Sequence, residues 1–317
     1  MVEPGSVAAR LAEILVPRGS AAESGLPAEL RSDLESAAER AVALLDGHGL
    51  DLDADGSVLP LRLPKARVVA LGACERHAVA VARESTTPDA GLDELPLRML
   101  AGRALDVYVE HEIAEGPVAD PFEDLLSWLG ANGEVAVRDQ VIAAEGQLQL
   151  DPLASAARAW AGLDPAWWPR TQAAAAVHLA GGAVRCDGRT DVELGGGRSG
   201  RPSLVVEVKL GRPHQVHLDE VTHYALLVAL RDGVAPAAVA RWYPDGSLAE
   251  MSVTADVLHA AARRLADAIG AWAELQVGRP PDERPGAPCS WCPDAGECPS
   301  FLPARDPFDP FGESEHR

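Results

Sequence analysis

Lysine is nearly absent from this chain: of its 28 basic residues only Lys65 and Lys209 carry an ammonium, and the rest are arginine. An ammonium is a compact point charge that the planar guanidinium does not replace, so a lysine kept in such a background is a candidate for a specific task. Long apolar runs are missing too. No stretch reaches the roughly 20 residues a membrane helix needs, and MVEPGSVAARL lacks the charged start and apolar segment of a secretion signal. The expectation is a cytoplasmic protein with no membrane partner. Five cysteines, an odd number, do not make a secreted disulfide framework, and in a reducing compartment their spacing points to metal. Positive charge is short overall. With 48 acidic side chains the net charge is −20, so any contact with nucleic acid must rest on a local arginine patch and bound cations.

What is present is an ordinary globular balance, 47% apolar and 24% charged over 317 residues, enough for one large domain with additions. The chain organises around Leu204–Gly211, LVVEVKLG. In a strand Leu204, Val206, Val208 and Leu210 share one face while Val205, Glu207 and Lys209 share the other. A carboxylate and an ammonium thus stand together on a strand whose opposite face is fully apolar. Packed between helices, such a pair needs a metal or a counter-charge. Asp191, in CDGRTDVELG, ends the strand before it. Asp followed by Glu-x-Lys supplies hard oxygen ligands for Mg²⁺ or Mn²⁺, plus an ammonium that can orient water or neutralise charge growing on phosphorus. A short pattern of this kind also fits a plain surface Glu–Lys pair, and the scarcity of lysine weighs against that.

Taken in order, residues 1–60 are rich in Ala and Glu and read as a helical N-terminal segment, with a helix from Pro27 to Leu45. LRLPKARVVALGACERHAVAVARE, from Leu61, reads as a short strand running into a helix that carries Cys74, Arg76 and His77; Cys74 is either a packing thiol or a ligand. Gly102–Glu115 reads as a helix with Leu105, Val109 and Ile113 inward and Asp106 and Glu110 on a neighbouring face, where a solvated acidic edge is the plain interpretation. A Trp-containing helix near Phe122 to Leu129 follows, then mixed strand signals up to Leu150, and a helix from Leu153 to Leu163. Two antiparallel strands joined at Gly181–Gly182 come next, with Asp191 near the end of the second, and a loop from Gly195 to Pro202 leads into the central strand. Beyond it a helix sets His217, Glu220 and Tyr224 on one face, able to look onto Glu207 and Lys209. His214, His217 and His223 read as packing or solvated residues. A hairpin across Pro244–Asp245–Gly246, a long amphipathic helix from Val257 to Val277 and an acidic, flexible tail over 303–317 complete the chain.

The C-terminal PGAPCSWCPDAGECPSF sets Cys289-x₂-Cys292-x₅-Cys298 among prolines and glycines, a strong metal signal that needs a fourth ligand. A cluster on Cys186 would crowd the metal expected at Asp191, so Cys74 is the better candidate, with a His as the other possibility for a zinc site. The order Cys74, Gly102-x₃-Asp106, Asp191, Glu207-x-Lys209, Glu220-x₃-Tyr224, Cys289, Cys292, Cys298 resembles the RecB-like branch of the PD-(D/E)XK nucleases. More narrowly, it is similar to the members with an iron–sulfur staple, such as the CRISPR-associated adaptation exonucleases and the AddB nuclease domain, over about residues 61–302.

The resemblance implies an α/β restriction-endonuclease-like core, a mixed central sheet flanked by helices. Within this nuclease domain, residues 61–302, a [4Fe–4S] cluster on Cys74, Cys289, Cys292 and Cys298 would join the N- and C-terminal segments. It implies catalytic roles for Asp191, Glu207, Lys209, Glu220 and Tyr224, with Mg²⁺ or Mn²⁺ held by Asp106, Asp191, Glu207 and the Val208 carbonyl. Arg76, Arg103, Arg189 and Arg212 are candidates for phosphate contact. The implied activity is that of a metal-dependent deoxyribonuclease, with exonuclease action the first expectation. Its DNA partner would be single strands or ends, in repair or defence, and a separate helicase or other pathway protein would open duplexes.

Two positions depart from the family pattern. Asp106 stands where a His is usual, which moves the metal preference from Mn²⁺ toward Mg²⁺. Glu220 stands where a Gln is usual, adding a carboxylate that can bind a second ion and repels phosphate. With the net charge, these keep an alternative in view, a catalytically degenerate nucleic-acid-binding or scaffold subunit that retains the stapled fold. A zinc staple is a third reading, distinguished by the visible colour of an iron–sulfur cluster.

Overall fold

The computed structural model describes residues 7–15, 26–50, 61–86, 95–196 and 203–301. Its strands are β1 (Leu61–Pro64), β2 (Arg170–Leu179), β3 (Val184–Leu194), β4 (Leu204–Val208), β5 (Ala238–Trp242) and β6 (Leu248–Ser252). Its helices are α1 (Val7–Leu15), α2 (Ala28–Gly47), α3 (Lys65–Ala73), α4 (Glu75–Thr86), α5 (Leu97–Ala114), α6 (Pro121–Ala131), α7 (Val135–Ala143), α8 (Leu150–Ala157), α9 (Gln215–Asp232) and α10 (Ala255–Gln276). This is a mixed α/β fold with a central sheet flanked by helices, as expected.

The alternation in β4 sorts its side chains between two cores. Leu204, Val206 and Val208 join Val192, Leu194, Ala238, Ala240 and Trp242 beneath α1, α5, α6, α7 and α8. Val205 joins Val184, Cys186 and Val239 on the other side, against α2, α3, α9 and α10. Each Leu or Val buried in this way contributes about 1.5–3 kcal/mol. A strand covered on both faces reads as an almost continuous apolar run, which is how β4 reads apart from its charged residues.

The pairing around β3 positions the site. β2 runs antiparallel along one edge of β3, from Arg170↔Glu193 to Leu179↔Val184. Two strands share the other edge: β1, parallel, against Val184–Asp187, and β4, antiparallel, against Val192–Leu194. Since β1 and β4 run toward each other, their C-terminal ends meet opposite Gly188–Asp191. β5 continues the sheet parallel to β4, and β6 closes it as the expected hairpin partner of β5.

Some expectations are corrected. The mixed strand signals before Leu150 belong to helix: Val135, Val137 and Val141 lie in α7, where Val141 is buried beneath the sheet and tertiary burial overrides β propensity. The helix expected at Leu153–Leu163 begins at Leu150 and passes into a 3₁₀ turn at Arg158–Trp160. Cys74 does not sit inside one helix; it is the extended residue between α3 and α4. The N-terminal segment holds α1 as well as α2. Most of the Gly195–Pro202 loop and the tail at 303–317 lie outside the described residues. Among the described residues no helix is long and apolar enough to cross a membrane.

Candidate active site

The site lies where β1 and β4 meet end to end beside β3. Asp191 marks a change of side in β3. Val184 and Cys186 face the α9 core, whereas Val192 and Leu194, of the same parity, face the α5 core. Thr190 still bonds to Glu193 on the α9 side, at 2.9 Å, so the change falls at Asp191. The β2 ladder passes from Thr171↔Val192 to Ala173↔Thr190 with no pair between Asp191 and Gln172, and Gln172 has a φ of 48°. Freed from regular pairing, Asp191 turns to β4 and its Oδ2 accepts the Val208 N–H at 2.7 Å.

β4 delivers Glu207 and Lys209 from the opposite direction. Glu207 is buried, at 1% exposure, and its Oε1 receives two ammoniums, Lys209 Nζ at 2.8 Å and Lys65 Nζ at 2.9 Å. Its Oε2 is buried with no hydrogen-bond partner. α9 supplies Glu220, which pairs with Lys209 at 2.6 Å and Lys65 at 3.8 Å, and Tyr224, whose ring centroid lies 4.9 Å from Lys65 Nζ. The Tyr224 hydroxyl accepts the Arg189 N–H at 3.2 Å. Gly188 makes room for that ring: a Cβ there would stand 2.6 Å from Tyr224 Cε1. Asp106 enters from α5, in the opposite layer, close enough to feel Glu207 and Lys209.

Burial and crowding set the protonation. Burial, reinforced by Glu207 and Asp106, holds the Asp191 carboxyl well above its usual range. Burial also pushes Asp106 up to about 7, with Glu207 and Glu110 adding to it and Arg103 and Lys209 opposing. For the two lysines burial acts downward but the carboxylates outweigh it, Glu207 first, so both keep a raised pKa and stay charged. The same ammoniums overcome burial at Glu220 and hold it below the usual carboxylate range.

The residues expected at the site are therefore gathered, with corrections around them. Glu110 is not on a solvated edge: it is buried and bound to Arg103 at 2.9 Å, which also holds Glu134 at 2.7 Å. Arg103 is committed to those carboxylates, and Arg76 to Glu283 and the Glu297 carbonyl, so neither is a ready phosphate contact. Arg189 and Arg212 are exposed. Lys65 is the residue missed. The scarcity that singled out Lys209 applied to it equally, but nothing local to Lys65 placed it beside Glu207.

The cysteine region brings the chain ends together. Cys74 is buried, accepts the Arg284 N–H at 3.5 Å and lies 3.9 Å from the Asp282 carbonyl, while Cys289 Sγ accepts the Gly286 N–H at 3.4 Å. Burial raises the Cys292 pKa against the Asp294 N–H, which lowers it, and the Asp294 charge, Cys74 and Cys289 are near enough to raise it further; Cys298 lies near Arg76. Around them Glu75 holds Arg279 at 2.8 and 2.9 Å and Arg76 holds Glu283 at 2.7 Å. Cys186 is buried beneath α9 and takes no part. Among the described residues no three His, Cys, Asp or Glu side chains form a ready cage for a metal ion.

No family model matches the chain, and no curated protein matches it. Among solved structures, a proposed exonuclease from Eubacterium rectale aligns over 75% of this chain and 88% of its own, at 14% identity and a TM-score of 0.46. The protein SSO0001 aligns over 63% of this chain and 96% of its own, at 20% identity and a TM-score of 0.32.

Proposed function

We propose that the chain is a metal-dependent DNA nuclease that hydrolyses phosphodiester bonds of single strands or ends. The observation that carries this reading is the convergence of Asp191, Glu207 and Lys209 from β3 and β4 with Glu220 and Tyr224 from α9, at a site where Glu207 Oε2 is a buried acceptor without a donor. An oxygen in that state suits a hard divalent cation. Asp191, Glu207, Asp106 and the Val208 carbonyl would hold Mg²⁺ or Mn²⁺, and such an ion, when bound, acidifies water and polarises a phosphoryl oxygen. Lys209 holds the Glu207 carboxylate in place and offers its ammonium to charge developing on the phosphate. Tyr224, fixed by the Arg189 amide, orients groups beside it.

Cys74, Cys289, Cys292 and Cys298 would hold a [4Fe–4S] cluster. Amide N–H groups already directed at two of the sulfurs, and thiols close enough to perturb one another, suit that group. The cluster would serve as a structural tie between α4 and the C-terminal segment.

The test uses anaerobically purified protein, end-labelled single-stranded DNA and Mg²⁺ or Mn²⁺, with Asp191→Asn and Lys209→Ala in parallel. Cleavage by the wild type that both variants lose is the expected result. Cleavage that neither variant changes overturns the assignment. Binding of DNA with no cleavage under either metal favours the scaffold reading, which the net charge of −20 and the Glu220 carboxylate support.

A further inference from the structure

The D…E-x-K pattern accounts for one of the two lysines of this chain and leaves the other unexplained. Lys65 is the first residue of α3, carried to the site by β1, and its side chain is only 20% exposed. Its ammonium stands on the same oxygen of Glu207 as that of Lys209, pairs with Glu220 and lies over the Tyr224 ring. Withdrawing an ammonium from water is costly unless it is met by counter-charge.

We propose that Lys65 is a built-in counter-cation that limits this site to a single divalent metal ion. The inference rests on the metal-dependent reading of the site. Asp106, Asp191, Glu207 and Glu220 bring four carboxylates and Lys65 and Lys209 two ammoniums, which in the fully ionised site leaves two negative charges, what one divalent ion balances. Geometry agrees with the count. Both ammoniums lie on Oε1 of Glu207, so Oε2 is the oxygen left for a metal, and Lys65 joins Lys209 between Glu207 and Glu220, the pair of carboxylates a second ion would bridge, so that removing Lys65 leaves one ammonium where there were two. Lys65 is thus a positioning residue for the metal, acting through Glu207 and Glu220.

The experiment is calorimetric titration of the wild-type protein with Mn²⁺, together with electron paramagnetic resonance to detect spin-coupled Mn²⁺ pairs. Lys65→Met and Lys65→Gln remove the charge, and Lys65→Arg keeps it. The wild type and Lys65→Arg are expected to bind one Mn²⁺ with an uncoupled signal. The neutral variants are expected to bind two, with a coupled signal, a change that a purely structural role for Lys65 would not produce. Two ions in the wild type, a result that depends on no variant folding, overturn the proposal. One ion of unchanged affinity in folded Lys65→Met or Lys65→Gln also overturns it while leaving the metal site standing. No Mn²⁺ binding by the wild type overturns the metal-dependent reading and this inference with it.

Discussion

Lys65 Nζ lies 2.9 Å from Glu207 Oε1, although 142 positions separate the two residues in the chain. With Lys209 on the same oxygen at 2.8 Å, both lysines of the protein converge on one buried carboxylate. Glu207 is therefore held from two places, the first residue of α3 and the end of its own strand.

Removing one of these partners should separate chemistry from binding. Lys209→Ala is expected to lower kcat for DNA cleavage by about 10²–10³, the usual loss when a preorganised electrostatic group is deleted, with KM little changed. Steady-state kinetics on labelled single-stranded DNA measure the split. A rise in KM with kcat intact would assign Lys209 to substrate binding instead.

Gly188→Ala tests the fit of Tyr224. The added methyl cannot coexist with the present ring position, 2.6 Å from Cε1, so the ring must move and the hydroxyl loses the Arg189 amide. Overpacking of this kind costs about 1–3 kcal/mol. Urea unfolding should show that loss, and it should shrink in a Tyr224→Ala background, because the clash is with the ring.

Glu193 anchors a second buried network, on the α9 side of β3. It is 1% exposed and binds Arg231 at 2.9 and 3.1 Å, Arg170 at 2.6 Å and the Thr190 hydroxyl at 2.9 Å. Glu193→Ala leaves guanidinium groups facing an apolar gap and is expected to cost about 3 kcal/mol. Denaturant unfolding of Glu193→Ala against Glu193→Gln, which keeps the shape and part of the bonding, measures the difference.

His223 should make stability fall in mild acid. It is 3% exposed, and burial, with Lys65 and Arg264 nearby and Glu220 opposing, lowers its pKa from 6.5 to about 4. The folded state keeps the ring neutral while the unfolded chain takes up a proton below pH 6.5, so the unfolded state binds more protons in that window. His223 thus withdraws stability as pH drops from about 6.5 to 4, by about 3 kcal/mol in full. Unfolding free energies across that range, compared with His223→Gln, isolate the contribution; an unchanged slope in the variant would assign it elsewhere.

On the proposed cluster assignment, Cys74→Ser should abolish visible iron–sulfur absorbance and bound iron without releasing the C-terminal segment. The Glu75–Arg279 and Arg76–Glu283 pairs remain to hold it to α4. Limited proteolysis after α10 is expected to accelerate only when Glu75→Ala is added. Full iron content in Cys74→Ser would remove Cys74 from the ligand set.

By itself the sequence determined those parts of the site that depend on spacing within a contiguous segment. Alternation in LVVEVKLG sets Glu207 and Lys209 on the face opposite Val206 and Val208, and the helical spacing of Glu220 and Tyr224 brings both to one face of α9. The β2–β3 hairpin and the position of Asp191 near the end of its strand were legible for the same reason. Tertiary structure decided what depends on the order of strands in the sheet and the packing of layers. β1 and β4 share one edge of β3 and meet end to end, and no local pattern encodes that, so Lys65 reaches Glu207 only in the folded chain. Asp191 turns toward Val208 because the β2 pairing lapses opposite it. Glu110 is buried against Arg103 because α5 is covered by its neighbours, although its spacing alone fits a solvated edge equally well. Periodicity tells which residues share a face; what that face meets is set by contacts between segments far apart in the chain.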